Sequence, residues 1–585
     1  MKNYRYLKSI LHASFLGNEH VAMAVFAALV GLASGLGAIG FLELIKLFQN
    51  LSYGSGNLLR IVHVIPWPLR VAIPAVGGLV VGLFIHMAGR NHAGHGISEI
   101  LEAVTLRKGV IRKRVVLAET LASAVTIGTG GSAGIVAPIV QLGSGIGSAV
   151  GAFPRLSGAG IRTLVGCGAA AGIAAAFNAP IAGTMFALEV VLGDFGVATF
   201  SPIVISSVVA TAVSRHFLGD FPAISVPSYQ LVSGWELPFY VLLGFICAII
   251  AVSFTRLFYW VGDLFNKAAS PAFMKPLVGG LLLGFMGLFF PHILGNGYPT
   301  IDLVMMEELS LTTLFILVFF KMAATSITIG SGGAGGTFAP SLFIGAMLGG
   351  LFGAIVHGLL PEVTASSGAY SIVGMAAVVA GVTRGPFSAI LMLFEMTGNY
   401  TIILPLMIAC IISSSASALL LKESMFTLKL ARKGVNIREG KEINVLKSIL
   451  VSEVMNRQVE TIPESLPLGK LPERIAASKY NSFPVVNEQK HLVGVLSFLD
   501  YHDVLFTHDL YQLVIAGELA TRSVVTVSVD DSLFTALDRI TAKDFSILPV
   551  VDPADPLVLR GIVTRRDIIS AYNSAVLKKG ILEES

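Results

Sequence analysis

One uncharged, glycine-rich stretch decides the fold of this chain: Gly128-Thr129-Gly130-Gly131-Ser132-Ala133-Gly134-Ile135-Val136-Ala137-Pro138. A degenerate copy returns as Gly330-Ser331-Gly332-Gly333-Ala334-Gly335-Gly336-Thr337-Phe338-Ala339-Pro340. Glycines at this density let backbone N–H groups approach a small anion. A nucleotide loop would need a βαβ unit around it, and the flanks here are apolar. Close packing of helices through small residues is the simpler alternative, but the Gly-x-x-Ala-Pro repeat favours an anion site.

The sequence around both stretches is typical of a membrane protein. Hydrophobic residues make up 54% of the 585 residues and charged residues 13%, about half the charged share of a soluble chain. Several uncharged runs approach or exceed the roughly 20 residues that cross a bilayer: Val21–Phe41, Phe195–Ser214, Leu237–Thr255 and Thr401–Leu421. We therefore predict a multi-pass protein of the cell membrane. No nucleophile–base pair or metal cluster suggests an enzyme, and no nucleic-acid partner is expected.

Basic residues flank the apolar region although the net charge is only +4. They precede the first span, form one loop and follow the last span: Lys2, Arg5, Lys8, Arg107, Lys108, Arg112, Lys113, Arg114, Lys422, Lys429, Arg432 and Lys433. The positive-inside rule predicts that all of them, and both termini, are cytoplasmic. The first apolar run is too long for a cleavable signal peptide. Cys167, Cys247 and Cys410 lie in apolar segments and are expected to be small buried side chains.

The membrane region is an internal duplication. Besides the two glycine stretches, Gly94–Ser98 corresponds to Gly295–Pro299. Farther along, Gly168, Pro180 and Glu189 correspond to Gly374, Pro386 and Glu395, with steps of 12 (180 − 168, 386 − 374) and 9 residues (189 − 180, 395 − 386) in both halves. Repeats of this kind, often inverted in topology, carry the ion site at their interface on broken helices.

After Arg432 the chain becomes charged and changes to an α/β pattern. Two similar units each read as a strand, a turn, a second strand and a helix entered by Ser/Thr-x-x-Asp. We predict four segments: a cytoplasmic tail at 1–20, a membrane anion-pore domain at 21–435 and two small domains at 452–507 and 519–578.

These motifs together resemble the CLC chloride channel and transporter family followed by a tandem CBS pair. The matching stretches are Gly94 to Glu99, Gly134 to Gly143, Ala176 to Gly183, Gly336 to Pro340 and the two C-terminal units. The resemblance implies an all-α polytopic membrane domain, built from two inverted repeats with broken and re-entrant helices, and a C-terminal α/β CBS pair. It also implies a homodimer with one pore per subunit and chloride, or another small anion, as substrate.

The resemblance further implies which residues bind the anion. They are His95, Gly134, Ile135, Val136, Ala137, Thr337, Phe338 and Phe426. His95 stands where the family has a serine and Phe426 where it has a tyrosine, so only the N–H groups of Thr337 and Phe338 keep the family pattern. His95 is open to three interpretations: a hydrogen-bond donor to the anion, a pH-sensitive cation, or a neutral histidine bonded to backbone.

Two further departures concern protons. The resemblance implies a gating glutamate at Val136 and an internal proton-relay glutamate at Val190, and valine carries no proton. We therefore expect passive conduction in place of proton exchange. Glu189 is a candidate internal acid, although it points about 100° away from Val190 on a helix, and Glu395 is expected to be an ordinary satisfied acid. The alternatives are a proton-coupled anion antiporter and a non-conducting nucleotide sensor.

In the tail, the resemblance implies an adenosine-nucleotide site for ATP, ADP or AMP. The matching residues are Tyr480, Asn481, Thr564, Arg566 and Asp567. A purely structural or dimerising CBS pair is the alternative, and no other cofactor is expected.

Overall fold

The computed structural model describes residues 19–54, 58–88, 96–152, 156–220, 224, 229, 231–433, 446, 449–476, 478, 480–502, 504, 511–543 and 545–582. The chain divides into two compact units, Met1–Gly434 and Val435–Ser585.

The described part of the first unit is helical. Its α-helices are α1 Glu19–Tyr53, α2 Leu58–Val64, α3 Trp67–Ala88, α4 Ile97–Leu106, α5 Lys113–Gly128, α6 Val136–Ala152, α7 Gly158–Phe177, α8 Pro180–Phe186, α9 Val197–Leu218, α10 Leu237–Lys267, α11 Lys275–Phe289, α12 Tyr298–Met305, α13 Leu311–Gly330, α14 Phe338–Leu359, α15 Ser367–Thr383, α16 Pro386–Thr397, α17 Ile403–Leu420 and α18 Leu428–Arg432. Within the described residues, nine segments are long and apolar enough to span a membrane. They overlap all four apolar runs seen in the sequence, which confirms the multi-pass prediction.

Shorter apolar helices lie among the long ones, because proline and glycine interrupt the apolar sequence. Pro180 and Pro386 are the first residues of α8 and α16, the position that tolerates proline because its N–H would be unpaired anyway. Helix α8 continues into a π-helical turn at Ala187–Leu192, which carries Glu189 and Val190. Broken helices of this kind are tolerated at membrane depth only where protein encloses them.

The duplication is visible in the packing. Helix α6 packs on α7 in the first half, and α14 packs on α15 in the second. In the first pair the helices meet at Gly143 and Gly168, where a Cβ on Gly168 would lie only 1.9 Å from the Gly143 carbonyl oxygen. Small residues therefore bring these backbones into direct contact. The three cysteines are buried in such helices, as expected.

The second unit contains two three-stranded sheets with the same topology. Its elements are α19 Val451–Val454, β1 Ile462–Pro463, α20 Leu471–Ala476, β2 Ser482–Val486, β3 Leu492–Ser497, α21 Phe498–His502, α22 Ala516–Leu519, β4 Val527–Ser528, α23 Leu533–Lys543, β5 Ile547–Val551, β6 Leu559–Thr564 and α24 Arg565–Leu582. In each sheet the short first strand pairs in parallel with the second, and the second pairs antiparallel with the third. The sheet orders are β1-β2-β3 and β4-β5-β6.

The helices after β3 and β6 begin as predicted. Asp500 accepts hydrogen bonds from the backbone N–H and hydroxyl of Ser497 at 2.6 and 2.7 Å. Asp567 does the same for Thr564 at 3.0 and 2.7 Å. Each pair satisfies donors at a helix start. The predicted fold class, a helical membrane domain followed by an α/β pair, is confirmed.

Candidate functional site

The two glycine stretches meet at the centre of the membrane unit. Gly134 N–H donates to the Gly336 carbonyl at 2.7 Å, and Gly336 N–H donates to the Gly134 carbonyl at 2.8 Å. The contact favours glycine, because a Cβ on Gly134 or Gly336 would lie only 3.0 Å from the backbone nitrogen of Ala339 or Ala137 in the opposite stretch. The two repeats are therefore joined by reciprocal backbone hydrogen bonds between their glycine loops.

Side chains on the helices that precede the two loops also form a matched pair of hydrogen bonds between the halves. Thr328 Oγ1 accepts a hydrogen bond from Ser132 N–H at 3.3 Å, and Thr126 Oγ1 accepts one from Ala334 N–H at 3.2 Å. All of these equivalent positions are 202 residues apart (336 − 134, 334 − 132, 328 − 126). Each helix therefore fixes the loop of the other repeat.

The loops lead directly into helices that can hold an anion. Helix α6 begins at Val136 and α14 at Phe338. The first turn of a helix has backbone N–H groups without intrahelical partners and carries partial positive charge. The junction of the two repeats therefore lies beside two helix starts that have unpaired backbone donors.

A small cavity lies at this junction and is called here the central cavity. Its volume is about 40 Å³, enough for one small ion because a single water needs roughly 10–15 Å³. Three predicted residues line it: Ala137, Thr337 and Phe426. Gly336, the partner of Gly134, also lines it.

Other predicted residues surround this cavity without lining it. Val136, Phe338 and Ile135 are buried side chains, with exposed fractions of 0, 1 and 5%, and Gly134 forms the bridge. His95 lies outside the described residues, so its role stays a prediction.

The structure adds wall residues that the sequence did not indicate, among them Ile97, Ser98, Tyr259 and Met425. The Ser98 hydroxyl donates to the Phe426 carbonyl at 2.8 Å, and the Tyr259 hydroxyl donates to the Met425 carbonyl at 2.7 Å. Both hydroxyls thus fix the chain segment that presents Phe426.

The Thr337 hydroxyl differs from these two. Thr337 is 6% exposed and lines the central cavity. Within the described ranges its Oγ1 makes no hydrogen bond to protein, whereas its carbonyl accepts one from the Ser341 hydroxyl. The family resemblance implies only the N–H of Thr337 as a donor to the anion. The sequence does contain a signal for this hydroxyl, because Thr337 is the residue just before the helix start at Phe338-Ala339-Pro340.

The paired acids of the repeat cap each other's helices. The Glu189 carboxylate accepts hydrogen bonds from Phe387 N–H at 3.2 Å and from the N–H and hydroxyl of Ser388 at 2.7 and 2.6 Å. Glu395 accepts from Ile181 N–H at 3.0 Å and from Ala182 N–H at 2.6 Å. Each carboxylate therefore neutralises the positive end of a short helix in the opposite repeat, and Glu395 is the satisfied acid that was expected.

A larger cavity of about 480 Å³, called here the vestibule, adjoins the central cavity. The two share Phe258, Tyr259 and Ile329 in their walls. The vestibule is also lined by Gly330–Ala334 of the second glycine stretch and by basic side chains: Lys275, Lys429, Arg432 and Lys433. The shared wall therefore places the basic side chains of the vestibule next to the glycine loop that lines the central cavity.

Charged residues beside the vestibule link two basic segments. Glu102 on α4 accepts from Arg107 at 2.6 Å and from Lys433 at 3.0 Å. Burial raises the pKa of Glu102, but these two cations outweigh it and hold the pKa below its usual range. The loop that follows α4 and the segment that follows the last span therefore lie on one face of the unit, as the charge pattern predicted.

The predicted nucleotide residues lie along the two sheets of the second unit. The Tyr480 hydroxyl accepts from the Asn456 amide at 3.1 Å, and the backbone of Asn456 pairs with Ile562 on β6. This link brings Tyr480 towards the end of β6, where Thr564 and Asp567 form the start of α24. Asn481 and Arg566 are exposed. In the described part of this unit, no metal-ligating cluster accompanies them.

The chain matches known proteins over most of its length. Residues 77–418 match the voltage gated chloride channel family, and residues 451–505 and 516–574 match the CBS domain. A putative chloride channel protein ClcB-like from Ralstonia nicotianae is 35% identical over 394 residues, covering 66% of this chain and 92% of that protein. The H(+)/Cl(-) exchange transporter ClcA of Citrobacter koseri is 30% identical over 423 residues, covering 70% and 89%. The structure of a slow cyanobacterial Cl⁻/H⁺ antiporter superimposes with a TM-score of 0.65 at 26% identity, covering 70% and 97%.

Proposed function

Because this chain belongs to the voltage gated chloride channel family of membrane anion transporters, we propose that it conducts chloride passively, through one pore in each subunit of a homodimer. The central cavity carries this proposal. The described residues that line it are glycines, hydroxyl-bearing residues and apolar residues, and none of them has a carboxyl group. Sites of this kind bind an anion weakly enough to release it.

The absence of a carboxyl group from this wall bears on proton coupling. Exchange needs groups that gain and lose a proton along the path. The buried Val136 cannot titrate, and the carboxylate of Glu189 is held by three hydrogen bonds at the start of α16. Passive conduction therefore fits these residues better than exchange, although relatives include proteins named as exchangers.

The basic residues indicate how the protein is oriented in the membrane and where the anion enters. The positive-inside rule assigns the face that bears Arg107 and Lys433 to the cytoplasm, and both termini with it. The vestibule is then the cytoplasmic entrance, where Lys275, Lys429, Arg432 and Lys433 concentrate the anion.

The test is a reversal-potential measurement in planar bilayers with separate chloride and proton gradients. A potential that follows the chloride gradient alone supports passive conduction. A shift with the proton gradient, or uphill chloride flux driven by it, would establish the antiporter instead. Wild-type protein that releases no chloride from liposomes but still binds nucleotide would establish the non-conducting sensor.

We also propose that the CBS pair binds an adenosine nucleotide. The bond between Tyr480 and Asn456 supports this, because Asn456 is paired with β6 and so connects an aromatic ring with the Thr564–Asp567 turn. A ring for stacking and a carboxylate for ribose hydroxyls would then serve one ligand. ATP, ADP and AMP share this adenosine group.

A further inference from the structure

The vestibule contains a buried acid that the proposed pore does not use. Glu119 on α5 is 6% exposed and lines the vestibule. No hydrogen bond reaches its carboxylate from the part of the chain that the structure describes. Burying an ionised carboxylate without partners is costly, so its charge should depend strongly on what surrounds it.

Two groups interact with Glu119 electrostatically: Glu99 on α4 and Lys429 on α18. The Glu99 carboxylate accepts a hydrogen bond from the Gln141 amide at 3.1 Å, and Lys429 lines the same vestibule. Lys429 therefore interacts with both carboxyl groups, and Arg107 acts in addition on Glu99. Each proton taken up by one of these carboxyl groups makes the group less negative.

Glu99 and Lys429, which lie outside the membrane-spanning segments, have pKa values shifted by burial and by the charges around them. Burial raises the pKa of Glu99, although Arg107 and Lys429 oppose this. Burial lowers the pKa of Lys429 and Lys433 lowers it further, while the three glutamates Glu119, Glu99 and Glu102 oppose both effects. Burial and the neighbouring charges thus act in opposite directions on the protonation of Glu99 and of Lys429.

The other charged groups around the vestibule are largely paired. Arg432 bonds Asp263 at 3.0 Å, and Lys433 bonds Glu102 at 3.0 Å. The remaining titratable wall groups are His86, on helix α3 that packs against α5, Lys275 and Tyr259. Helix α1 also packs on α5 and carries the exposed Glu43–Lys46 pair, and α6 contributes the uncharged Gln141. Among the described wall residues, Glu119 is thus an acid without an ion pair, and Lys429 and Lys275 are cations without one.

The residue that corresponds to Glu119 in the second repeat has a different environment. At the same 202-residue offset (321 − 119), α13 carries Lys321, which is completely buried. Its ammonium donates to the Ile293 and Gly295 carbonyls at 2.9 and 3.0 Å and lies 4.9 Å from the ring centroid of Phe343. Lys321 thus holds a loop, whereas Glu119 has no comparable bond among the described residues and faces a cavity.

We propose that Glu119, together with Glu99, is a proton-binding switch for anion entry through the vestibule. When both are ionised, their negative charge offsets the attraction that Lys429 exerts, and less anion enters the vestibule. When Glu119 takes up a proton, Lys429 attracts the anion and flux rises. This inference rests on the proposed anion conduction and assigns a proton as the ligand of a site away from the central cavity.

The experiment measures chloride efflux from liposomes, at matched acidic and neutral pH on both sides, for wild type, Glu119→Gln and Lys429→Met. We expect wild-type flux to rise about 3- to 10-fold on acidification, a range set by one unit charge acting at vestibule distances. Glu119→Gln should match the acidic wild type even at neutral pH, with a flattened pH profile. Lys429→Met should remove the acid-stimulated gain.

Matched variants separate folding from charge. Glu119→Asp keeps a titratable group and should keep the pH response. Glu43→Gln removes an exposed acid that does not line the vestibule and should change nothing. A folded Glu119→Gln protein with wild-type flux at neutral pH and an unchanged pH profile would overturn the inference. Wild type that passes no chloride at any pH would overturn the proposed function, which is a distinguishable outcome.

Discussion

Gly134 and Gly336 exchange two backbone hydrogen bonds, of 2.7 and 2.8 Å, across the interface between the two halves of the membrane unit. This isolated antiparallel bridge joins loops that are far apart in sequence. It sets the distance between the starts of α6 and α14, and thereby the size of the central cavity.

The first prediction concerns this bridge. Gly134→Ala should lower the thermal stability in detergent and abolish chloride flux, because the new methyl group would lie 3.0 Å from the Cβ and backbone nitrogen of Ala339. Gly40→Ala is the matched control, since nothing lies within 4 Å of a Cβ there. It should be neutral, or stabilising by up to about 1 kcal/mol, as for alanine in a helix. Equal loss in both variants would show that the bridge has no special role.

The second prediction concerns the free hydroxyl of the central cavity. Thr337→Val removes this donor and keeps the shape, so apparent chloride affinity should fall about 10-fold or more, the range expected for a hydrogen bond to a charged group. The concentration dependence of flux measures this. Thr337→Ser retains a hydroxyl and should stay close to wild type. If valine and serine behave alike, the hydroxyl does not face the anion.

A third prediction tests the start of α6. Val136→Glu introduces a titratable group in the first turn, where a carboxylate is favoured by the helix dipole. The ionised side chain should compete with the anion, so flux at neutral pH should fall relative to flux at acidic pH. Val136→Gln has a similar size and no charge, and should lack this pH dependence. An unaltered pH profile in the glutamate variant would argue against Val136 lying beside the anion path.

The reciprocal caps give a fourth prediction. Glu189→Gln and Glu395→Gln should each lower the free energy of unfolding by about 1–2 kcal/mol, because each weakens hydrogen bonds at a helix start. The melting temperature in detergent reports the loss, while the reversal potential should remain that of wild type. A reversal potential that changes only in Glu189→Gln would instead identify Glu189 as an internal proton acceptor.

The fifth prediction concerns the CBS pair. Tyr480→Ala should weaken ATP or AMP binding about 10-fold, since stacking on a base contributes roughly 1–3 kcal/mol. Calorimetric titration of the full-length protein measures it. Tyr511→Ala, in another part of the same unit, serves as the control and should bind as wild type. If ATP, ADP and AMP all give no binding heat with the wild-type protein, the CBS pair is a structural module and not a nucleotide site.

Local sequence was sufficient to determine the class of this protein. Apolar runs with few charges require a membrane, and Gly-Pro interruptions at equal spacing require broken helices in two repeats, since both signals depend on neighbouring residues. The Ser-x-x-Asp and Thr-x-x-Asp starts of α21 and α24 were readable for the same reason. Even the offset that relates Glu119 to Lys321 is present in the sequence, as charges within otherwise apolar helices.

Only the tertiary structure decided how these elements meet. Ser98 bonds the carbonyl of Phe426 across 328 residues, and Glu189 reaches Ser388 across 199, contacts that no local pattern specifies. They arise because backbone and carboxylate groups away from water must find partners inside the protein. The sequence thus determined the family and the frame of the anion path, whereas long-range packing decided which hydroxyls and acids are occupied and left Thr337 and Glu119 facing the cavities.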